Sequence, residues 1–157
     1  MGLREDIIHE TVAELPLRPA LTVTPEVTIA QAIKLMREDK LGCVFVVDAQ
    51  GRPVGKFTER QVVKLLCACV PLDEPVTKHM VVIPAESCVR KTDPVQKVLE
   101  AMRQTRLRFI CVVDDDGRVK AMTGQKGLME YITERFPRQI KVQMMESKLH
   151  MNAREGA

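Results

Sequence analysis

Slid along itself by 66 residues, the chain meets its own pattern. Met36-Arg37 falls on Met102-Arg103, Leu41 on Leu107, Val46-Val47-Asp48 on Val112-Val113-Asp114, and Gly51-Arg52 on Gly117-Arg118. These eight identities lie without a gap between 29–66 and 95–132, and most other pairs exchange like for like. Two copies are too few for a solenoid, so the repeat points to a paired module with a pseudo-two-fold axis.

Each copy has the same internal plan. Ile29, Ala32, Ile33 and Met36 recur at helical spacing in 28–39, with Pro25 and Thr28 just ahead as a start signal. Cys43 to Val47 is a short apolar run rich in β-branched residues, which predicts a strand. Asp48-Ala49-Gln50-Gly51 stops it, and Pro53 to Phe57 returns as the second arm of a hairpin. A second helix runs from about Thr58 to Cys69. The other copy predicts helix 94–104, strand 108–113, turn 114–117, strand 118–123 and helix 125–135. Leu21-Thr22-Val23 and Cys88-Val89 can add one strand ahead of each first helix. The order is β-α-β-β-α, twice, an α+β (α/β) class.

The rest of the chain divides around the copies. An amphipathic helix is expected over 3–15 with Leu3, Ile7, Ile8 and Val12 inward, so 1–15 is taken as an N-terminal helix. The first repeat then covers 16–69, a turn with a short linking helix 70–80, and the second repeat 81–135. A polar extension with Met144, Met145 and Met151 follows over 136–157.

Composition excludes several function classes. A net charge of +3 with both signs interspersed, and only four Phe and one Tyr, gives neither the basic field nor the stacking surface of a nucleic-acid binder. No apolar run approaches the ~18 residues of a membrane span, and the opening MGLREDIIHE lacks the order of a signal peptide. A cytoplasmic protein without nucleic-acid or membrane partners is expected. Five unpaired-looking cysteines fit that setting and read as small buried hydrophobes, the Cys67-Ala68-Cys69 pair included. His9, His79 and His150 share no helical turn, so no metal site is expected. Asp48 and Asp114 to Asp116 sit in predicted turns, and no acid–base role is assigned to them.

An apolar strand ending in VVD, a glycine turn, and then Gly-x-x-Thr at the second helix, set in β-α-β-β-α order, resemble the cystathionine-β-synthase (CBS) domain. The tandem pair resembles the Bateman module, and the likeness covers about residues 12 to 135. The stretch GCVFVVDAQGRPVGKFTERQVV is similar to stand-alone bacterial CBS-pair proteins. The resemblance implies sheets packed through their helices, homodimers, and clefts between repeats that bind AMP, ADP, ATP or S-adenosylmethionine as regulatory ligands. No cofactor is required and no enzyme activity is implied.

Carried onto this chain, the resemblance and the chemistry of such a cleft nominate twelve residues. Cys43, Val44, Phe109 and Ile110 would line an adenine slot. Gly55, Lys56, Phe57, Thr58 and Arg60 form the stretch expected to meet phosphates at a helix start, with Arg108 a second basic position. Thr58 reads equally as a ligand hydroxyl and as a helix N-cap, and one residue can serve as both. Gln61 stands where the family usually places the aspartate that accepts the ribose hydroxyls. In the second copy Gly124 and Gly127 replace the hydroxyl residue and that aspartate, leaving Thr123 one place early. Losing charged hydrogen bonds of ~1.5–3 kcal/mol costs about tenfold to a hundredfold in affinity each. At most one weak adenine-nucleotide site per chain is therefore expected, at the first ending. Two readings remain from different classes: a sensor that signals to an unidentified protein target, and a docking scaffold that has lost its ligand.

Overall fold

The chain in this computed structural model is described over residues 7–105 and 107–135; the expected extension at 136–157, with its methionines, lies outside the described residues. Both copies have the expected order. The first runs β1 (Thr22–Val23), α1 (Ile29–Glu38), β2 (Cys43–Val47), β3 (Pro53–Thr58) and α2 (Glu59–Cys67), followed by β4 (Val81–Val82). The second runs β5 (Val89–Arg90), α3 (Val95–Thr105), β6 (Phe109–Val113), β7 (Val119–Gly124) and α4 (Gln125–Arg135). Short 3₁₀ turns at Val12–Glu14, Val76–Lys78 and Ala85–Ser87 punctuate the connections. Helix α1 starts on a reciprocal cap: Thr28 Oγ1 accepts from Gln31 N at 3.3 Å, and Gln31 Oε1 accepts from Thr28 N at 3.0 Å.

The strands form two sheets, ordered β1-β2-β3-β4 and β5-β6-β7. The 66-residue offset holds in their register. Cys43 pairs with Thr58 and Phe109 with Gly124; Val23 lies beside Val46 and Val89 beside Val112. Even the register shift after Val46 recurs after Val112.

The repeated VVD-x-x-GR is turn chemistry. Asp48 Oδ1 accepts from the N–H groups of Gln50 and Arg52, both at 2.9 Å, and Asp114 Oδ1 does the same for Asp116 and Arg118 at 3.0 and 2.8 Å. Gly51 and Gly117 take φ near +80°, which a side chain resists. The two turns also meet. Arg52 Nε donates to Asp116 O at 3.1 Å, Val119 N donates to Gly51 O at 3.0 Å, and each arginine side chain packs beside the other turn's glycine.

Neither copy closes by itself. The segment after the first copy gives β4 to the first sheet, and Val76 N donates to Val27 O at 2.9 Å ahead of α1. The segment before the first copy does the equivalent for the second. Arg18 bridges Met122 in both directions at 2.9 Å, and Val12 N donates to Asp93 O at 2.8 Å ahead of α3. Val76 is buried in the first copy's helix-side core and Val12 in the second's. Tyr131 Oη donates to Glu10, and Arg135 pairs with Glu10 at 2.8 Å, tying the N-terminal segment to α4.

This docking changes two expectations. Residues 7–9 are helical, but the path breaks before the 3₁₀ turn at Val12, because Glu10 O turns to accept Val95 N at 2.9 Å. Ile8 is consequently exposed rather than inward, while Ile7 packs on the core. Cys67 and Cys69 are exposed rather than buried, since α2 ends at Cys67 and Cys69 adopts a left-handed φ of 52°.

A third apolar layer lies between the sheets, made of Cys43, Phe45, Ile83, Cys111 and Met122. Lys56 also belongs to this buried region, with 1% of its surface exposed. Its Nζ donates to Phe109 O at 2.8 Å, joining β3 of one sheet to β6 of the other. Burial pushes the Lys56 ammonium down from 10.5 to about 8, and the neighbouring Cys43 and Cys111 raise it only partly back.

Two tests follow from this arrangement. Val12→Ala and Val76→Ala each remove about 2–3 kcal/mol of stability. Hydrogen exchange quickens first in α3 for Val12→Ala and in α1 for Val76→Ala, so each lesion is felt in the opposite or preceding copy that its segment completes. The unfolded chain keeps the Lys56 proton up to 10.5, whereas the folded chain releases it near 8. Across that window the unfolded state binds more protons, so stability rises with pH. Relative to Lys56→Met, denaturant melts show the native chain gaining about 3 kcal/mol from below to above the window.

Candidate functional site

Two clefts open between the copies, related by the pseudo-two-fold. The larger, about 630 Å³, is walled by the start of α2 (Thr58, Glu59, Arg60, Gln61, Lys64) and by Thr105, Leu107, Arg108 and Phe109 from the other copy, with Val81 at its edge. The smaller, about 260 Å³, brings the start of α4 against Lys40, Leu41 and Gly42, with Pro16 and Arg18 of the N-terminal segment. Arg108 and Phe109 line both.

The nominated residues divide between these clefts and the core. Thr58, Arg60, Gln61, Lys56, Arg108 and Phe109 meet at the larger cleft, and Thr123 at the smaller. Cys43 is fully buried between the sheets, Val44 and Phe57 pack on the helix side of the first sheet, and Ile110 on that of the second. Gly55 is buried in β3, where a Cβ would run into Met80. Phe109 is thus the member of the nominated adenine slot that reaches a cleft, half-buried and facing both.

Several polar groups in the larger cleft are already engaged. The Thr58 N–H donates to Gln61 Oε1 at 3.1 Å, and the Thr58 hydroxyl donates to the same oxygen. Gln61 therefore acts as the reaching member of a cap, as Gln31 does on α1. Lys56 lines the cleft but spends its amine on the Phe109 carbonyl. The first N–H of α2 donates to Gly42 O at 3.1 Å, and that of α4 to Arg108 O at 3.2 Å. What remains is cationic. Among the described residues, Arg60, Lys64 and Arg108 have no carboxylate in ion-pair reach, and Glu59 is the acidic residue that lines this cleft with them.

The smaller cleft differs in backbone as well as side chains. Gly124 has a φ of 157°, and a Cβ there would stand 1.9 Å from Arg108 O. Thr58, at the matching position, sits at an ordinary extended φ of −127°. A Cβ on Gly127 would meet Thr123 Oγ1 at 2.9 Å and Pro16 O at 3.1 Å, so an aspartate has no room there. Thr123 Oγ1 is buried with no hydrogen-bond partner among the described residues. Two of this cleft's basic residues are drawn toward Glu130: Arg18 at 3.0 Å and Lys126 at 3.9 Å.

Lys64, Thr105 and Leu107 in the larger cleft, and Lys40, Leu41 and Gly42 in the smaller, escaped sequence reasoning. The offset held a signal: Leu41 and Leu107 are one repeated position. It also held one for Lys56, whose partner in the second copy is the buried Met122.

Known proteins share this architecture. The family model for the CBS domain matches the chain twice, at residues 12–68 and 73–134. An uncharacterized 17.7 kDa protein of Acidianus ambivalens is 31% identical over 117 residues, covering 74% of this chain and 70% of that one. Among solved structures, a CBS-domain protein of Pyrobaculum aerophilum complexed with AMP gives a TM-score of 0.68 at 22% identity, over 87% of this chain and 98% of that one. A CBS-domain pair in complex with 5-methylthioadenosine and S-adenosyl-L-methionine gives 0.69 at 20% identity, over 80% and 97%. With both matches falling on the β-α-β-β-α units and starting in the segments that complete the opposite copy, the chain belongs to the CBS-domain family and carries the domain twice.

Proposed function

We propose that this CBS pair is a non-catalytic regulatory module of the cytoplasm that takes a phosphate-bearing adenosine ligand in its larger cleft and signals occupancy to a protein partner. The observation that carries the reading is the trio Arg60, Lys64 and Arg108, gathered from both copies without a carboxylate in ion-pair reach among the described residues. Phosphate oxygens are the natural complement to such a cluster, and guanidinium groups bind them bidentately. Phe109, Leu107 and Val81 supply an apolar wall for a base. The AMP-bound relative supports an adenosine ligand. S-adenosylmethionine, present in the other neighbour, carries a sulfonium that a cationic cleft repels, so AMP, ADP or ATP is favoured here.

Homodimerisation belongs to the same reading. Val63 and Leu66 on α2 are 60% and 56% exposed, and Met129 on α4 is 53% exposed. Val63 and Met129 are equivalent in the repeat, so the two helices offer matching apolar positions to a second copy. Leu128 is buried in its own core, and Ile33, Val62 and Leu99 pack partly on theirs. A docking scaffold is the second reading, favoured by the mutual engagement of Thr58 with Gln61.

Calorimetry and thermal shift with AMP, ADP, ATP, adenosine and S-adenosylmethionine decide between the readings. A single site per chain is expected, with adenosine binding far more weakly than AMP. Saturation at 100 times Kd stabilises the fold by ~2.7 kcal/mol. Arg60→Ala and Arg108→Ala weaken AMP by about tenfold to a hundredfold each. Gly127→Asp creates no second site and lowers the melting temperature. No heat with any of the five compounds sinks the sensor and leaves the scaffold. Light scattering gives twice the chain mass, and Val63→Glu with Leu66→Glu returns it to one.

A further inference from the structure

Among the five cysteines, two sit side by side. Val89 pairs with Val112 in the parallel ladder of β5 and β6, so the residue before each, Cys88 and Cys111, occupies the next opposed position. Both pack into the layer between the sheets. Neighbouring strands lie about 4.8 Å apart, inside the ~4.4–6.8 Å Cα spacing that a disulfide spans. The first copy has nothing comparable, with Thr22 and Phe45 at the matching positions.

The two thiols differ in access. Cys111 is 2% exposed, whereas Cys88 is half-buried and lines a cleft of about 540 Å³ together with Arg52, Arg90 and Lys97. The neighbouring Cys111 thiol, helped by the Lys97 charge, holds the Cys88 thiol below its usual range, against its own burial and Glu86. The same contact, with burial, pushes Cys111 far upward. Cys43 is also in this layer but takes no part. It is fully buried, its Sγ lies 3.8 Å from Met122 Sδ, and burial pushes its thiol up to about 12.

We propose that Cys88 and Cys111 form a reversible disulfide on exposure to hydrogen peroxide, with Cys88 as the residue oxidised first and Cys111 as the resolving one. Cys88 thiolate attacks the peroxide O–O bond, becoming a sulfenic acid while the peroxide's other oxygen leaves as hydroxide and takes up a proton. The Cys111 sulfur then attacks the sulfenic sulfur, and its proton leaves with the departing oxygen as a second water. Two thiols lose two electrons and two protons, and one hydrogen peroxide becomes two waters. The bridge sits where the chain passes from β4 of the first sheet to β5 of the second, so it fastens that crossing segment to β6.

The test uses the full chain with Cys67→Ser and Cys69→Ser, which remove the exposed competitors. After hydrogen peroxide and alkylation, intact mass should show the loss of two hydrogen atoms, and digestion should yield a peptide pair joined through Cys88 and Cys111. Dithiothreitol should reverse it, and the oxidised chain should melt several degrees higher than the reduced one. Cys88→Ala, at the half-buried position, should abolish both the bridge and the melting shift. Cys111→Ala should leave Cys88 trappable by dimedone as the sulfenic acid. If the unsubstituted Cys88 and Cys111 are both alkylated only after unfolding, are joined to other cysteines, or carry higher oxides without a bridge, the proposal is overturned.

Discussion

An edge strand and a helix start are the two places where a β-α-β-β-α unit leaves backbone groups without partners. In this molecule both are completed by the segment that opens the opposite unit. Val76 and β4 complete the first copy from beyond its last helix. Val12 and Arg18 complete the second from ahead of the first. An unpaired sheet edge invites association, and an uncapped, uncovered helix start costs stability. Each copy is therefore an incomplete fold whose missing pieces come from outside its own β-α-β-β-α stretch, and the clefts are the space left between two units held this way. Lys56 reinforces the arrangement from inside. Its buried amine costs free energy to desolvate, yet the carbonyl it satisfies lies on the other sheet, which ties the register of one copy to the other.

Much of this was legible because local chemistry and the repeat said the same thing. Asp-x-x-Gly-Arg after an apolar strand specifies a hairpin turn, and both turns formed with aspartate oxygens on the expected N–H groups. What the turns share beyond that was hidden, since nothing local announces that Arg52 will lie against Gly117. The N-terminal helix was misjudged for a similar reason. Its apolar spacing is helical, but Glu10 and Thr11 are drawn to the start of α3, and tertiary hydrogen bonds override the local preference. The cysteines after α2 were misjudged because the helix ends at Cys67, so the period that would bury them stops.

At the cleft, residue type alone was a poor guide to side-chain role. Gln61 reads as a weakened ribose acceptor by position, but Thr-x-x-Gln is also a cap, and the geometry has the amide oxygen on Thr58. Lys56 reads as a phosphate cation, yet alternation along β3 turns it toward the layer between the sheets, where its equivalent is Met122. Val44, Val46 and Ile110 face their helices for the same reason of period two. Arg60 and Arg108, by contrast, stand at strand and helix ends, where the chain direction leaves them over the opening.

Asymmetry between the clefts thus has its origin in backbone more than in lost side chains. Gly124 allows Arg108 O to approach as no other residue would, and Gly127 allows Pro16 O to approach α4. Both close approaches lie at the smaller cleft, where Arg18 and Lys126 also pair with Glu130. The first cleft has Val81 at the corresponding edge and keeps its cations free of such pairs among the described residues. Arg108 belongs to both: its carbonyl accepts the first N–H of α4 beside the narrow cleft, and the residue also lines the wide one. The two clefts therefore share this residue even though their chemistry has diverged.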